Sequence, residues 1–202
     1  MFIYHVRTLF HSPLTFYYQL RNRINNKYLW QKYLKKCSKY KKPIFILSFD
    51  CDTTKDIEVV TEVHKKLLNR KITPIYAVPG ELLEKGKKIY KKIYNTGSEF
   101  INHGYKKHTN LQEDNTYKSF FFYDKITPNQ VVEDIEKGDK TIQKILQFKP
   151  QGFRTPHFGS FIKKQHLNLL YKTINRLNYS FSTSTTPIFS INKGPIYKSK
   201  NI

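Results

Sequence analysis

Acidic residues are scarce in this sequence: 15 Asp and Glu stand against 36 Lys and Arg, a formal net charge of +21. That imbalance favours contact with something anionic, whether nucleic acid, acidic lipid headgroups or acidic glycans. No nucleic-acid-binding motif accompanies it, so no nucleic-acid partner is expected. Lysine accounts for most of the cations, in a chain rich in Ile, Asn and Tyr, so codon bias is a competing origin for the charge. Cysteine is also sparse. Cys37 and Cys51 form no C-x-x-C pair, which argues against a disulfide framework and mildly for a reducing compartment. A long apolar run is missing too: no stretch approaches the roughly 18 residues needed to cross a bilayer. The opening segment is broken by His5, Arg7, His11 and Pro13 and shows no small-residue cleavage site. The expected location is therefore cytoplasmic or peripheral to a membrane. What is present, 39% hydrophobic and 15% aromatic residues in a chain of 202, suits one folded domain with a short extension.

Two regions differ in character. Residues 1–42 are dense in Tyr, Phe, Arg and Lys and end in a basic run from Lys35 to Lys42. They read as a helical extension with a charged face, compatible with peripheral contact to an anionic membrane. From Pro43 on, β and α patterns alternate. Ile44–Phe49 is a short apolar run of the kind buried on both faces of a parallel sheet. A helix is expected over 56–70, with Ile57, Val60, Val63, Leu67 and Leu68 at helical spacing. Strand 74–78, helix 81–94, strand 98–102, helix 128–147, a short strand at Phe153, helix 163–177 and strand 179–182 follow. Such alternation predicts parallel βα units in an open sheet or a barrel. In these folds chemistry gathers where strands end.

Three groups of residues lie at those ends. Asp50-Cys51-Asp52 follows the first strand; two carboxylates so close are costly to bury unless a divalent ion compensates them. The competing reading is a loop of two solvated acids, with Thr53 or Thr54 capping the next helix. His103 and His108 follow the third strand, and imidazoles are common metal ligands. Residues five apart diverge by roughly 140° on a helix, so joint ligation requires a loop there. Gly152-Phe153-Arg154-Thr155-Pro156-His157-Phe158-Gly159 places an arginine able to grip a carboxylate beside a proline-stiffened turn. That turn could present a backbone N–H to an oxyanion, or simply carry a surface arginine.

In this order and spacing, Asp50-Cys51-Asp52, Asn102-His103-Gly104-Tyr105 with His108, and Phe153-Arg154-Thr155-Pro156 resemble the motifs of the polysaccharide deacetylase family, carbohydrate esterase family 4. The similarity runs from about Pro43 to the C-terminus. It implies an α/β fold, a distorted (β/α) barrel of the polysaccharide deacetylase type, for residues 43–202. It implies Asp50 as general base oriented by Arg154, with Asp52, His103 and His108 as ligands of a divalent metal, zinc being expected. The turn at Pro156 and His157 would help form the oxyanion hole. The implied reaction is removal of N-acetyl groups from a sugar or polysaccharide, with an N-acetylated glycan as partner. Two departures stand out. The histidine pair is H-x-x-x-x-H where the family has H-x-x-x-H. The late histidine that serves as general acid and the barrel-closing strands find no counterpart before Ile202, so the domain is expected to be incomplete and activity could be lost with it.

Two other readings stay open. A glycosyltransferase could use Asp50-Cys51-Asp52 to hold a metal and a sugar nucleotide, though His103, His108 and Arg154 then have no role. A non-catalytic carbohydrate-binding relative of the deacetylases would account for the missing acid and strands. The oligomeric state has no signature in the sequence.

Overall fold

The computed structural model describes residues 13–42, 45–184, 196 and 198. The strand expectation at Ile44 falls outside them. The chain divides into two compact units, one running to Ile44 and including Thr185–Lys200, the other centred on Phe45–Ser184. In the first unit two helices follow each other, α1 (Pro13–Ile24) and α2 (Asn26–Cys37). Among the described residues no helix is long and apolar enough to cross a membrane.

The second unit alternates strands and helices: β1 (Ser48–Asp50), α3 (Thr54–Leu68), β2 (Ile75–Val78), α4 (Gly80–Lys85), α5 (Lys87–Tyr94) and β3 (Glu99–Asn102). A hairpin follows, β4 (Thr109–Leu111) and β5 (Tyr117–Ser119), then a single 3₁₀ turn, Tyr123–Lys125. The unit ends with α6 (Pro128–Leu146), β6 (Gly152–Phe153), α7 (Lys164–Arg176) and β7 (Phe181–Ser182). The five main strands pair in the order β1-β2-β3-β6-β7, all parallel. Parallel strands in sequential order, with the right-handed crossovers that are the rule for such connections, put the helices on one side of a sheet that curls as an arc of a barrel. The expected α/β architecture, a partial (β/α) barrel, is the one observed.

Local chemistry explains the elements. Thr53 caps α3 in a capping box with Asp56, whose carboxylate accepts from the Thr53 N–H at 2.7 Å. Thr127, Pro128 and Gln130 start α6 in the same way, and Gln147 ends it in the left-handed conformation. One face of α6 buries Ile142, Ile145 and Leu146 among Tyr76, Val78, Leu83, Tyr90 and Phe100. Nearer its start, Val131 and Ile135 join Phe153, Leu170, Ile174 and Tyr179 in a second cluster. Gly138 lets this helix approach the end of β3: a Cβ there would sit 2.5 Å from Asn102 Oδ1 and 2.7 Å from the Gly104 carbonyl carbon.

Two expectations need correction, and one feature is new. The first strand begins only at Ser48, and Phe45 and Ile46 are 82% and 65% exposed, because β1 is an edge strand paired with β2 alone. The helix expected over 81–94 is two helices parted at Gly86, whose missing side chain makes it the weakest helical position in the stretch. The β4–β5 hairpin was not foreseen. It turns through Asp114, which accepts from the Thr116 N–H, and Asn115, at φ 60°.

Candidate metal centre

Asp50 and Asp52 lie at the end of β1, His103 directly after β3, and Arg154 directly after β6. The sheet register places these ends side by side: Asp50 pairs with Ala77, Val78 with Asn102, and Asn102 with Phe153. Residues 103–108 form a loop between β3 and β4, so no helical geometry separates the two histidines. The chain reverses through Gly104 at φ +76°, where a Cβ would collide with the Asp134 carboxylate and the Tyr123 hydroxyl. The five-residue spacing is thus resolved by a left-handed glycine.

The loop is pinned from two helices. Asp134 of α6 accepts from the N–H of Lys106 at 2.8 Å and of Tyr105 at 3.1 Å, and from the Tyr123 hydroxyl at 2.6 Å. Burial, only partly offset by these donors, raises the Asp134 carboxyl above its ordinary value. Glu81 of α4 accepts from the Lys107 N–H at 2.7 Å. Asn102 accepts from the Gly104 N–H at 2.9 Å and donates to the Ile135 carbonyl and the Tyr179 hydroxyl.

The result is a convergence of lone pairs. Ligating atoms of Asp52, His103 and His108 all lie within 4.8 Å of one another. Asp52 Oδ1 is 3.4 Å from His103 Nε2 and 3.1 Å from His108 Nε2, and both histidines are buried. The other ring nitrogens face backbone carbonyls: His103 Nδ1 donates to Arg154 O at 2.8 Å and His108 Nδ1 to Lys106 O at 3.3 Å. A carbonyl only accepts, so each Nδ1 carries the proton and each Nε2 of a neutral ring presents a lone pair to the carboxylate. None of the three inward atoms has a hydrogen-bond partner among the described residues. Three buried acceptors aimed at one point need a cation between them, either an added proton or a metal. Burial opposes ionisation of Asp52, but the two histidines outweigh it and hold its carboxyl low. Burial likewise works against the His103 cation, and Asp52 overrides it to raise the imidazole. One carboxylate and two imidazoles, each imidazole held through its Nδ1 by a backbone carbonyl, form a donor set suited to zinc with a position left for other ligands.

Beside this triad Arg154 is bound at every donor group. Its Nη1 pairs with Asp50 Oδ1, its Nη2 donates to Ser48 Oγ at 2.8 Å, and its Nε to Thr183 Oγ1 at 2.9 Å. Pro156 is buried, and His157 follows it in the left-handed region at φ 59°. The His157 ring meets His108 edge-on, with centroids 5.0 Å apart, and Phe122 at 4.4 Å. Burial lowers its imidazole below the usual value. Cys51, between the two aspartates, is buried and its thiol is pushed up to about 12, chiefly by burial, so it packs rather than ligates.

All seven residues singled out in the sequence therefore gather at one sheet edge. The residues that support them were missed: Ser48 and Thr183 around Arg154, and Glu81 and Asp134 around the histidine loop. Their partners lie 26 to 106 positions away, beyond any local pattern.

Comparison with known proteins identifies the family and the fold. The sequence profile of the polysaccharide deacetylase family matches residues 38–175, and the chain belongs to that family. No curated protein matches the sequence. Among solved structures, a peptidoglycan N-acetylglucosamine deacetylase superposes with a TM-score of 0.54 at 22% identity, over 71% of this chain and 57% of that one. The peptidoglycan deacetylase PdaC from Bacillus subtilis gives 0.51 at 14% identity, over 70% and 58%. A mutant of a CE4 family pseudoenzyme with restored enzymatic activity gives 0.53 at 14% identity, over 71% and 45%. At such identities the likeness concerns the fold. The chain spans about half the length of the solved structures it resembles.

Proposed function

We propose that this member of the polysaccharide deacetylase family acts, through the site at β1, β3 and β6, as a metal-dependent hydrolase of N-acetyl groups on a glycan. The observation that carries the reading is the convergence of Asp52 Oδ1, His103 Nε2 and His108 Nε2, three buried atoms with no hydrogen-bond partner among the described residues. These residues would hold a divalent ion, zinc being the expected one. When bound, such an ion supplies Lewis acidity toward a carbonyl and an attacking water.

The chain's own residues do the rest. Asp50, held by Arg154, is the general base that takes a proton from water as its oxygen attacks the acetamide carbon. The guanidinium engages Asp50 through Oδ1 and so fixes the orientation of its carboxylate. The backbone N–H of His157, after Pro156, is the donor for the oxyanion. Cleavage of the C–N bond leaves acetate, and the proton taken up by Asp50 is returned to the departing nitrogen, giving the free amine on the sugar. An N-acetylated cell-surface glycan is the proposed substrate class, on the strength of the family and of its peptidoglycan-directed neighbours.

A second reading has one observation in its favour: a pseudoenzyme shares this fold. The protein would then bind glycan without turning it over. A glycosyltransferase role gives no work to His103, His108 or the Arg154 cluster. Elemental analysis of the purified chain, with Asp52→Ala and His103→Ala alongside, tests the site. Near-stoichiometric divalent metal in the parent, lost in both variants, together with acetate release from N-acetylated glycan, is the expected result. Metal without acetate release would favour the binding role; no metal in a folded parent would overturn both the metal centre and the deacetylase.

A further inference from the structure

Between residues 13 and 42 there are nine Lys and Arg and no Asp or Glu; the first acidic residue of the whole sequence is Asp50. The helices α1 and α2 run nearly through one another, since Asn25 N–H donates to Arg21 O at 3.0 Å and Leu29 N–H to Asn25 O at 2.9 Å. Along them six large apolar side chains are exposed: Tyr17 (57%), Leu20 (46%), Ile24 (72%), Tyr28 (63%), Trp30 (51%) and Leu34 (49%). With about 100° per residue, these six positions share one arc of roughly 160°, opposite the buried Leu29. Lys27 and Lys35, both exposed, fall within the same arc.

We infer that this face of α1–α2 docks on an anionic lipid surface, its apolar side chains entering the headgroup region and its lysines meeting lipid phosphates. Charge complementarity selects the partner: a helical face with cations, no acids and outward Trp, Tyr, Leu and Ile has the composition of an interfacial helix. A nucleic-acid-binding face needs the cations but gains nothing from an exposed aliphatic stripe. Trp30 and Tyr28 carry polar tips suited to the water–lipid boundary, and long lysine stems let their charges reach the phosphates. This inference concerns the first unit only and does not depend on the activity of the second.

The test uses the full chain, in which Trp30 is the single tryptophan and so reports its own surroundings. It is mixed with vesicles of phosphatidylcholine, with and without a minority of phosphatidylglycerol, at about 0.15 M salt. The expected result is a blue shift of Trp30 emission and co-sedimentation with the anionic vesicles, far weaker with neutral ones. Ile24→Glu with Leu34→Glu, both at exposed positions and checked for an unchanged fold by circular dichroism, should weaken binding at least about tenfold. Lys27→Gln and Lys35→Gln should each weaken it about fivefold. An unshifted Trp30, or vesicle binding indifferent to the two glutamates, would mean simple adsorption of a cationic protein and would overturn the inference. So would a Trp30 shift produced by RNA, or by rising protein concentration, with no response to lipid.

Discussion

The main-chain carbonyl of Arg154 accepts the Nδ1 proton of His103 at 2.8 Å. The same residue's guanidinium holds Asp50. One residue thus orients a candidate metal ligand through its backbone and the candidate base through its side chain, and substitution can separate the two roles. Arg154→Lys keeps the carbonyl but loses the planar fork that reaches Asp50, Ser48 and Thr183. Metal content should stay within about twofold of the parent while acetate release falls about a hundredfold, the scale of a misplaced general base. Elemental analysis and a deacetylation assay on the same preparation read both quantities.

Asp134 is the anchor of the histidine loop, since two of that loop's backbone N–H groups and the Tyr123 hydroxyl end on its carboxylate. Asp134→Ala leaves three donors without their acceptor, two of them on the loop that carries His108. The expected cost is roughly 2–4 kcal/mol of stability, with weaker metal binding. Asp134→Asn, which retains one acceptor oxygen, should cost less. Denaturant titration and a metal-competition titration check the order of the three proteins.

Metal binding should weaken as pH falls. A ligating imidazole must be neutral, and Asp52 raises the affinity of His103 for a proton above that of an ordinary imidazole. Proton competition at His103 therefore starts at a higher pH than for a free histidine. The Asp52 carboxyl, held low, adds no competition until much more acidic conditions. Zinc affinity measured across the mildly acidic range should fall steadily with added acid. Affinity that stays flat across the imidazole range would remove the histidines from the ligand set.

Gly138→Ala tests the packing beneath the site. A methyl group there overlaps Asn102 and the backbone at Gly104, so α6 must move away from the end of β3. The expected loss is about 1–3 kcal/mol, visible in thermal unfolding, even though alanine is the better helix former.

The chemistry-bearing residues were legible because they sit in short local runs at strand ends. Asp50-Cys51-Asp52, His103 and Arg154-Thr155-Pro156 each follow an apolar run that had to be a strand, and parallel strands bring their carboxyl ends to one edge. The long helices were equally plain, α3 and α6 in particular, because apolar spacing and Thr caps act within a few residues. Phe45 and Ile46 misled, since an apolar run looks the same whether its strand is central or at the edge. Gly86 divided a helix whose apolar pattern ran straight past it.

By itself, then, the sequence determined the order of βα units, the helix caps, the cationic acid-free start and which residues could do chemistry. Whether His103 and His108 could meet was a matter for the tertiary structure, because their spacing fits no regular element. The answer depends on Gly104 reversing the chain, on Asp134 and Glu81 holding the loop from two helices, and on Gly138 letting α6 come close enough. Those are contacts between residues far apart in the chain, and no local periodicity encodes them.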